Sequence, residues 1–385
     1  MGTHGKMILA ILAAIAVVAV VAGCGSSSDS SGTSSGGGES SEADQGGLAE
    51  AEKLTQEGET RPTSIGLDKP ISKPIPAGKH IEFVIPSVPS TLEFVPNLEA
   101  AAEAVGWTAE TVEGGTSPEE FKAAYEQVVR NKPDAVVSAG IPPEAVEPEL
   151  EELNAAKIPI VLISAEPLPK NAKVLADVAE GETHYGYGQL LANWTTSDGG
   201  GNPDTLLINV PEFPVLDELQ EGFETQYAKV CPNCTLETKS YPAGSIGKEL
   251  PQTIASYLRS HSEVKYVVAT FSDMLLGVPG ALSEAGITDV KLAGNAATPA
   301  NVVNIAAENY EAAGSLAGLF ENPWHAVDAL ARYFAGEPQT PKTNSTQPEW
   351  ILTKKNEAEW GGKPEDKWPI VADYEAQYKA LWGLK

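Results

Sequence analysis

The sequence predicts an α/β protein built from two doubly wound parallel-sheet lobes. Short apolar runs alternate with longer amphipathic stretches from His80 onward, and after about Glu166 the alternation starts again. Most of the runs are apolar throughout, which suits parallel strands covered by helices on both faces. At 385 residues, 42% hydrophobic and 21% charged, the chain is long and apolar enough to fill two cores of ordinary size.

In the first run, Ile81 to Ile85 reads as a strand ending at Pro86, followed by a helix over Leu92–Val105 and a strand over Trp107–Val112. Ser117 caps the next helix, with Pro118 at its first position and Glu119 and Glu120 in its first turn, where acids suit the helix dipole. That helix runs to about Arg130. A strand at Ala135–Ser138, a helix at Pro143–Ala156 and a strand at Pro159–Ile163 complete the set. The second run reads as strands at Val174–Val178, Asp204–Val210, Leu236–Ser240, Lys265–Thr270, Val290–Ala293 and Ala312–Leu319. Helices over Thr183–Thr196, Leu216–Val230, Gly247–His261, Met274–Ala285, Pro299–Asn309 and Pro323–Ala335 separate or follow them. Right-handed crossovers then give a doubly wound unit twice over.

The N-terminus reads as an address. Lys6 precedes an apolar run of 16 residues, Met7 to Ala22, which is short of the roughly 20 a bilayer-crossing helix needs. The run ends Val21-Ala22-Gly23-Cys24, which resembles the lipobox of bacterial lipoproteins; that resemblance makes Cys24 the lipid-attachment residue. Gly25 to Gly47 is nearly all Ser, Gly, Asp and Glu and reads as a flexible tether. Leu48 to Gln56 fits either a short helix or a fraying extension of the tether. Prolines 62, 70, 74 and 76 favour an extended approach to the first strand.

Composition and motifs exclude several functions. Lys and Arg number 26 against 53 Asp and Glu, a formal charge of −27, so the surface repels phosphate backbones and nucleic acid is not expected as a partner. Neither G-x-S-x-G nor G-x-x-x-x-G-K-[ST] occurs. His4, His80, His184, His261 and His325 are scattered through different elements and form no metal spacing. No catalytic residue, cofactor or metal is therefore expected. Cys231-Pro232-Asn233-Cys234 follows a helix rather than opening one, so the dipole that activates a redox pair is missing. Outside the cytoplasm such a pair reads as a structural disulfide, Cys231 with Cys234.

Several segments, taken in order, resemble the type I periplasmic solute-binding proteins of ABC importers, nearest the ribose-binding branch. They are Lys132-Pro133-Asp134-Ala135-Val136-Val137, Ala155-Ala156-Lys157-Ile158-Pro159-Ile160-Val161, Gln220-Glu221-Gly222-Phe223, Ser272-Asp273-Met274-Leu275-Leu276-Gly277 and Ala281-Leu282-Ser283-Glu284-Ala285-Gly286. The resemblance implies a three-segment hinge, with crossings near Ala165, near Glu321 and within Thr340–Trp350, and a ligand held by cleft closure. The resulting division is a signal peptide at 1–23, tether and Pro-rich approach at 24–79, an N-terminal lobe of 80–165 plus 322–354, a C-terminal lobe of 166–321, and a tail at 355–385. Trp368, Tyr374, Tyr378 and Trp382 give that tail an aromatic stripe, read as a helix packing on a lobe.

Ligands of open parallel sheets sit beyond the carboxyl ends of the strands. The candidate binding residues are therefore Ser87, Ser90 and Thr91; Ser164 and Glu166; Glu212 and Phe213; Phe271, Ser272 and Asp273; Asn295; and Glu321 at a crossing. Asp273, just ahead of a helix, also reads as its cap. Phe213, Phe271 and Phe320 offer apolar faces. Where sugar-binding relatives carry Asp and Arg, this chain has Ser164-Ala165-Glu166, and Leu219 replaces an arginine. No arginine lies in these loops, so a neutral solute is expected, a sugar first and a small aromatic or apolar compound as the alternative. The implied partners are an ABC permease and the outer face of the cytoplasmic membrane, the latter through the lipid on Cys24; a monomer is expected.

Overall fold

The structure, a computed structural model, describes residues 42–170, 173–339, 348–363 and 365–384. The signal peptide, Cys24 and the tether as far as residue 41 lie outside the described residues. In chain order the elements are α1 (Glu42–Gly58), β1 (His80–Ile85), α2 (Pro89–Leu92), α3 (Phe94–Ala104), β2 (Thr108–Glu113), α4 (Pro118–Asn131), β3 (Ala135–Ala139), α5 (Glu147–Ala155), β4 (Ile160–Ile163) and β5 (Ala176–Val178). There follow α6 (Gly181–Asp198), β6 (Thr205–Asn209), α7 (Val215–Val230), β7 (Leu236–Ser240), α8 (Leu250–Ser260), β8 (Tyr266–Ala269), α9 (Val278–Glu284), β9 (Lys291–Asn295), α10 (Pro299–Ala307) and β10 (Glu311–Ser315). The chain ends with α11 (Glu321–Ala335), β11 (Ile351–Thr353), α12 (Glu357–Trp360) and α13 (Tyr374–Leu381).

Two sheets form, in the orders β2-β1-β3-β4-β5 and β11-β10-β9-β8-β6-β7. All pairs are parallel except β10 with β11. In the first sheet Phe83 pairs with Val137, and Val137 with Val161. In the second, Leu207 pairs with Val268, and Val268 with Ala293. The inner strands β3, β4, β6 and β8 are buried at every residue, as helix-covered parallel strands must be, while β2 and β7 are partly exposed edges. Ser117 caps α4 as its sequence predicts: its side chain accepts from the Glu120 amide, and Glu120 reaches back to the Ser117 amide.

The structure corrects four boundaries. β5, expected in the second lobe, pairs with β4 (Val161 with Ala176) and extends the first sheet, so the first crossing falls after Val178 rather than near Ala165. β11, expected in the first lobe, is the antiparallel edge of the second sheet. The supposed tether is helical from Glu42, and α1 packs on α6 and α7. The tail packs on a lobe as its aromatic stripe predicts, but its helix spans only Tyr374–Leu381, with Trp368 and Trp382 outside it. Trp382 stacks on Trp324 of α11 at 5.4 Å with the rings 5° from parallel, and Tyr374 meets the same indole edge-on.

The hinge therefore carries more than three segments. The expected crossing within Thr340–Trp350 falls mostly on residues outside the described ones; among the described residues, 59–79 run from α1, on the second lobe, to β1, and 361–363 with 365–373 lead from α12, beside β11, to α13, on α11. These two added straps are tied to each other. Arg61 donates to the carbonyls of Glu359 (2.9 Å) and Pro369 (2.7 Å) and lies over the Trp350 ring at 4.6 Å. The Trp350 indole donates to the Glu59 carbonyl (3.1 Å), and the Ile71 amide to that of Leu381 (2.7 Å).

One helix pair fixes the second lobe's contribution to the cleft. A Cβ on Gly188 of α6 would lie 2.0 Å from the Leu219 carbonyl oxygen, and one on Gly222 of α7 would lie 2.1 Å from that of Tyr185. The two backbones touch because both residues are glycine, and this sets where the N-terminal ends of α6 and α7 point.

Candidate functional site

A cavity of about 70 Å³ lies between the lobes, room for on the order of five waters. Its walls come from the carboxyl ends of strands in both sheets. The first lobe supplies Pro86, Val88, Ser90 and Thr91 after β1, Phe94 at the start of α3, Gly140 after β3 and Ser164 after β4. The second lobe supplies His184 from α6, Phe213, Val215 and Leu216 after β6, Phe271 after β8, and Asn295 and Ala296 at the end of β9. Ala317 and Leu319, in the crossing between β10 and α11, close it. Phe213 and Phe271 meet edge-on with centroids 5.9 Å apart and form one aromatic wall. Ser164 and Ala296 hold left-handed backbone, φ 52° and 59°, a conformation that non-glycine residues keep only where surrounding structure enforces it.

Few polar atoms face this space. Thr91 is turned to its own loop, its hydroxyl donating to the Pro86 (2.6 Å) and Val88 (2.9 Å) carbonyls. Asn295 accepts from the Ser315 hydroxyl through Oδ1 at 2.9 Å, which leaves its amide nitrogen. The Nδ1 of His184 lies 3.5 Å from the Glu180 carbonyl, and the ring also meets the Ala179 backbone. Burial pushes this imidazole down to about 4, so it is neutral at ordinary pH. No Lys, Arg, Asp or Glu is among the lining residues.

Six of the twelve predicted residues line the cavity: Ser90, Thr91, Ser164, Phe213, Phe271 and Asn295. The others do not, for identifiable reasons. Ser87 is exposed at the β2 edge, its hydroxyl donating to Glu113 at 3.3 Å. Glu166 accepts from the Gly181 amide (2.8 Å) and Glu212 from the Ala243 amide (3.1 Å), so both carboxylates hold loops. Ser272 is buried behind the wall, and its carbonyl accepts from Asn301 at 3.3 Å. Glu321 lies in the hinge, accepting from the Val371 amide at 3.0 Å, and burial pushes it up to about 7. Phe320 packs edge-on against Trp368, away from the cavity.

Asp273 is not a helix cap. It sits in a 3₁₀ turn, Ser272–Leu275, and its Oδ2 accepts from the backbone amide of Ser90 at 3.1 Å. Ser90 belongs to the first lobe and Asp273 to the second, so this bond spans the cleft. Burial pushes the Asp273 carboxyl up to about 6, against the lowering effect of its bonds from Ser90.

Residues that sequence reasoning missed include His184, Phe94 and Leu319. The signal for His184 is its place just after β5, a strand whose sheet the sequence does not show. Phe94 and Leu319 read as ordinary core residues, and their sequence carries no signal of cleft exposure.

Two doubly wound sheets, strand ends facing across a cavity, and a backbone-to-carboxylate bond between the lobes together define a two-lobed cleft fold. The family model described as a periplasmic binding protein domain matches residues 83–338, and the chain belongs to that family. Its type I fold is shared with solved structures of low identity. An ABC sugar transporter subunit of Rhodobacter sphaeroides matches at TM-score 0.63 and 21% identity, over 72% of this chain and 98% of that one. A solute-binding protein of Agrobacterium vitis bound with α-D-tagatopyranose matches at TM-score 0.65 and 17% identity, over 73% and 97%. A periplasmic ribose ABC transporter protein of Conexibacter woesei matches at 0.61 and 16%, over 74% and 95%. No curated protein matches the chain. Among the described residues, no helix is long and apolar enough to cross a membrane.

Proposed function

We propose that this protein is the extracytoplasmic solute receptor of an ABC importer, held at the membrane by lipid on Cys24. It binds a small uncharged solute between its lobes, closes over it and delivers it to a permease; no bond is made or broken. The observation that carries the reading is the cavity itself, lined from strand ends of both sheets and spanned by the Ser90–Asp273 bond. The sugars bound or carried by the solved relatives make sugars the first solute class to try. The anchor rests on Lys6, the apolar run to Ala22 and Cys24 in sequence.

Binding is tested by thermal unfolding across a panel of sugars, polyols, amino acids, nucleosides and small aromatics. A true solute at 100 times its Kd raises stability by about 2.7 kcal/mol. The anchor is tested by metabolic labelling with a fatty acid, which a Cys24→Ser chain should not take up. A second reading, a signal receptor of the same fold, is favoured by the apolar walls. Uptake of the solute into cells separates them, because an importer's deletion abolishes uptake and a sensor's does not.

A further inference from the structure

The cavity's polarity narrows the solute class. This inference rests on the solute-binding reading above and deepens it. Phe94, Phe213 and Phe271 supply aromatic surface from both lobes, and Val88, Leu216 and Leu319 fill the gaps between them. Against these walls, the polar side chains left to a solute are few: the Ser164 hydroxyl, the amide nitrogen of Asn295, and the His184 imidazole, whose ring already meets the backbone of Glu180 and Ala179. They comprise an amide with two N–H donors, one hydroxyl able to donate or accept, and one imidazole already engaged by backbone. The nearby carboxylates are turned elsewhere, Glu166 to Gly181, Glu212 to Ala243 and Asp273 to Ser90.

We infer that the solute is an uncharged single-ring compound whose surface is mainly C–H, with no more than about three hydrogen-bonding positions. A deoxygenated sugar and a phenolic ring share that chemistry. A fully hydroxylated hexose does not. Its further hydroxyls would be buried unpaired, and each weakens binding about tenfold or more. An ionised solute meets no compensating charge and is excluded more strongly.

The test is calorimetric titration of the protein with four probes of similar ring size: galactose, its 6-deoxy analogue fucose, 4-hydroxybenzyl alcohol and ionised benzoate. The expected result is that fucose or the phenolic alcohol binds at least tenfold tighter than galactose, while benzoate does not bind. Which of the two leads identifies the source of the ring. Galactose binding most tightly would overturn the inference and leave the solute-binding reading standing. Benzoate binding most tightly would do the same. Binding of none would contradict both. Leu216→Asn should weaken the favoured probe at least tenfold, and Asn295→Ala, milder for folding, should weaken it severalfold. A favoured probe indifferent to both variants would overturn the assignment to this cavity.

Discussion

The backbone amide of Ser90 in one lobe donates to the carboxylate of Asp273 in the other at 3.1 Å, and both residues are almost wholly buried. On the proposed function, in which the lobes close over a solute, this bond belongs to the closed form. It makes Asp273 a latch for closure and places a titratable group at the point where the lobes meet.

Removing that latch should weaken binding without unfolding either lobe. Hydrogen bonds to charged groups contribute about 1.5–3 kcal/mol, so Asp273→Ala should lower solute affinity roughly ten- to hundredfold, measured by calorimetry. The carboxyl is pushed up to about 6 in the closed form, above its ordinary value, so closure favours the protonated state. Affinity should therefore rise as pH falls from 7 to 5. In Asp273→Asn, which cannot ionise, that dependence should vanish.

Stability should also rise on mild acidification. Burial pushes Asp177 up to about 8 and Glu311, Glu321 and Glu349 up to about 7. An acid whose folded pKa exceeds its unfolded value is penalised when ionised, a penalty fully present above the folded pKa and relieved as pH drops below it. Tm should be higher at pH 6 than at pH 8. His184, pushed down to about 4, acts oppositely below its ordinary range, where charging it opposes folding; one imidazole against four carboxyls should flatten the gain below about pH 6 without reversing it. A differential scanning series over pH 4–8 checks both limbs.

The glycine contact between α6 and α7 admits no side chain. Gly188→Val or Gly222→Val forces these backbones apart and should destabilise by about 1–3 kcal/mol or more, read from denaturant unfolding. Both helices feed the cavity, through His184 and through Val215 and Leu216, so solute affinity should fall in the same variants.

The C-terminal strap is part of the folded body. Trp382→Ala removes a ring stacked on Trp324 and a donor to Asp328, and should cost about 3–5 kcal/mol. Arg61→Ala, at the junction of the two straps, should cost less, because Arg61 is half-buried and donates to carbonyls that water can also reach. Chemical denaturation of each variant checks the order.

Much of the fold and half of the candidate site are legible in the amino-acid sequence. The strand-end rule places Ser90, Thr91, Ser164, Phe213, Phe271 and Asn295 on the cavity lining, because parallel strands announce themselves as apolar runs and the cleft lies past their ends. What escapes depends on long-range pairing. β5 is three residues long, and only its register against Val161 assigns it to the first sheet; with it goes His184. The start of α1 reads as tether because of Gly46 and Gly47. Yet a Cβ on Gly47 would lie 2.3 Å from the Val230 carbonyl oxygen, so this glycine marks a tight packing contact with α7 rather than slack chain. Composition cannot distinguish the two. Nor can it say which carboxylates are already engaged by backbone amides, which is why Glu166 and Glu212 look available.

The central claim is closure of the two lobes over a solute, and an interlobe distance tests it most directly. Leu92 and Leu276 are exposed, at 47% and 43%, on the first and second lobes close to Ser90 and Asp273. Spin labels at cysteines placed there, with Cys24 replaced by serine, report the cleft by pulsed electron resonance. The probe that most raises Tm in the panel should collapse a broad distance distribution to one short distance, and Asp273→Ala should broaden it again. A distribution unchanged by a saturating probe would contradict the account.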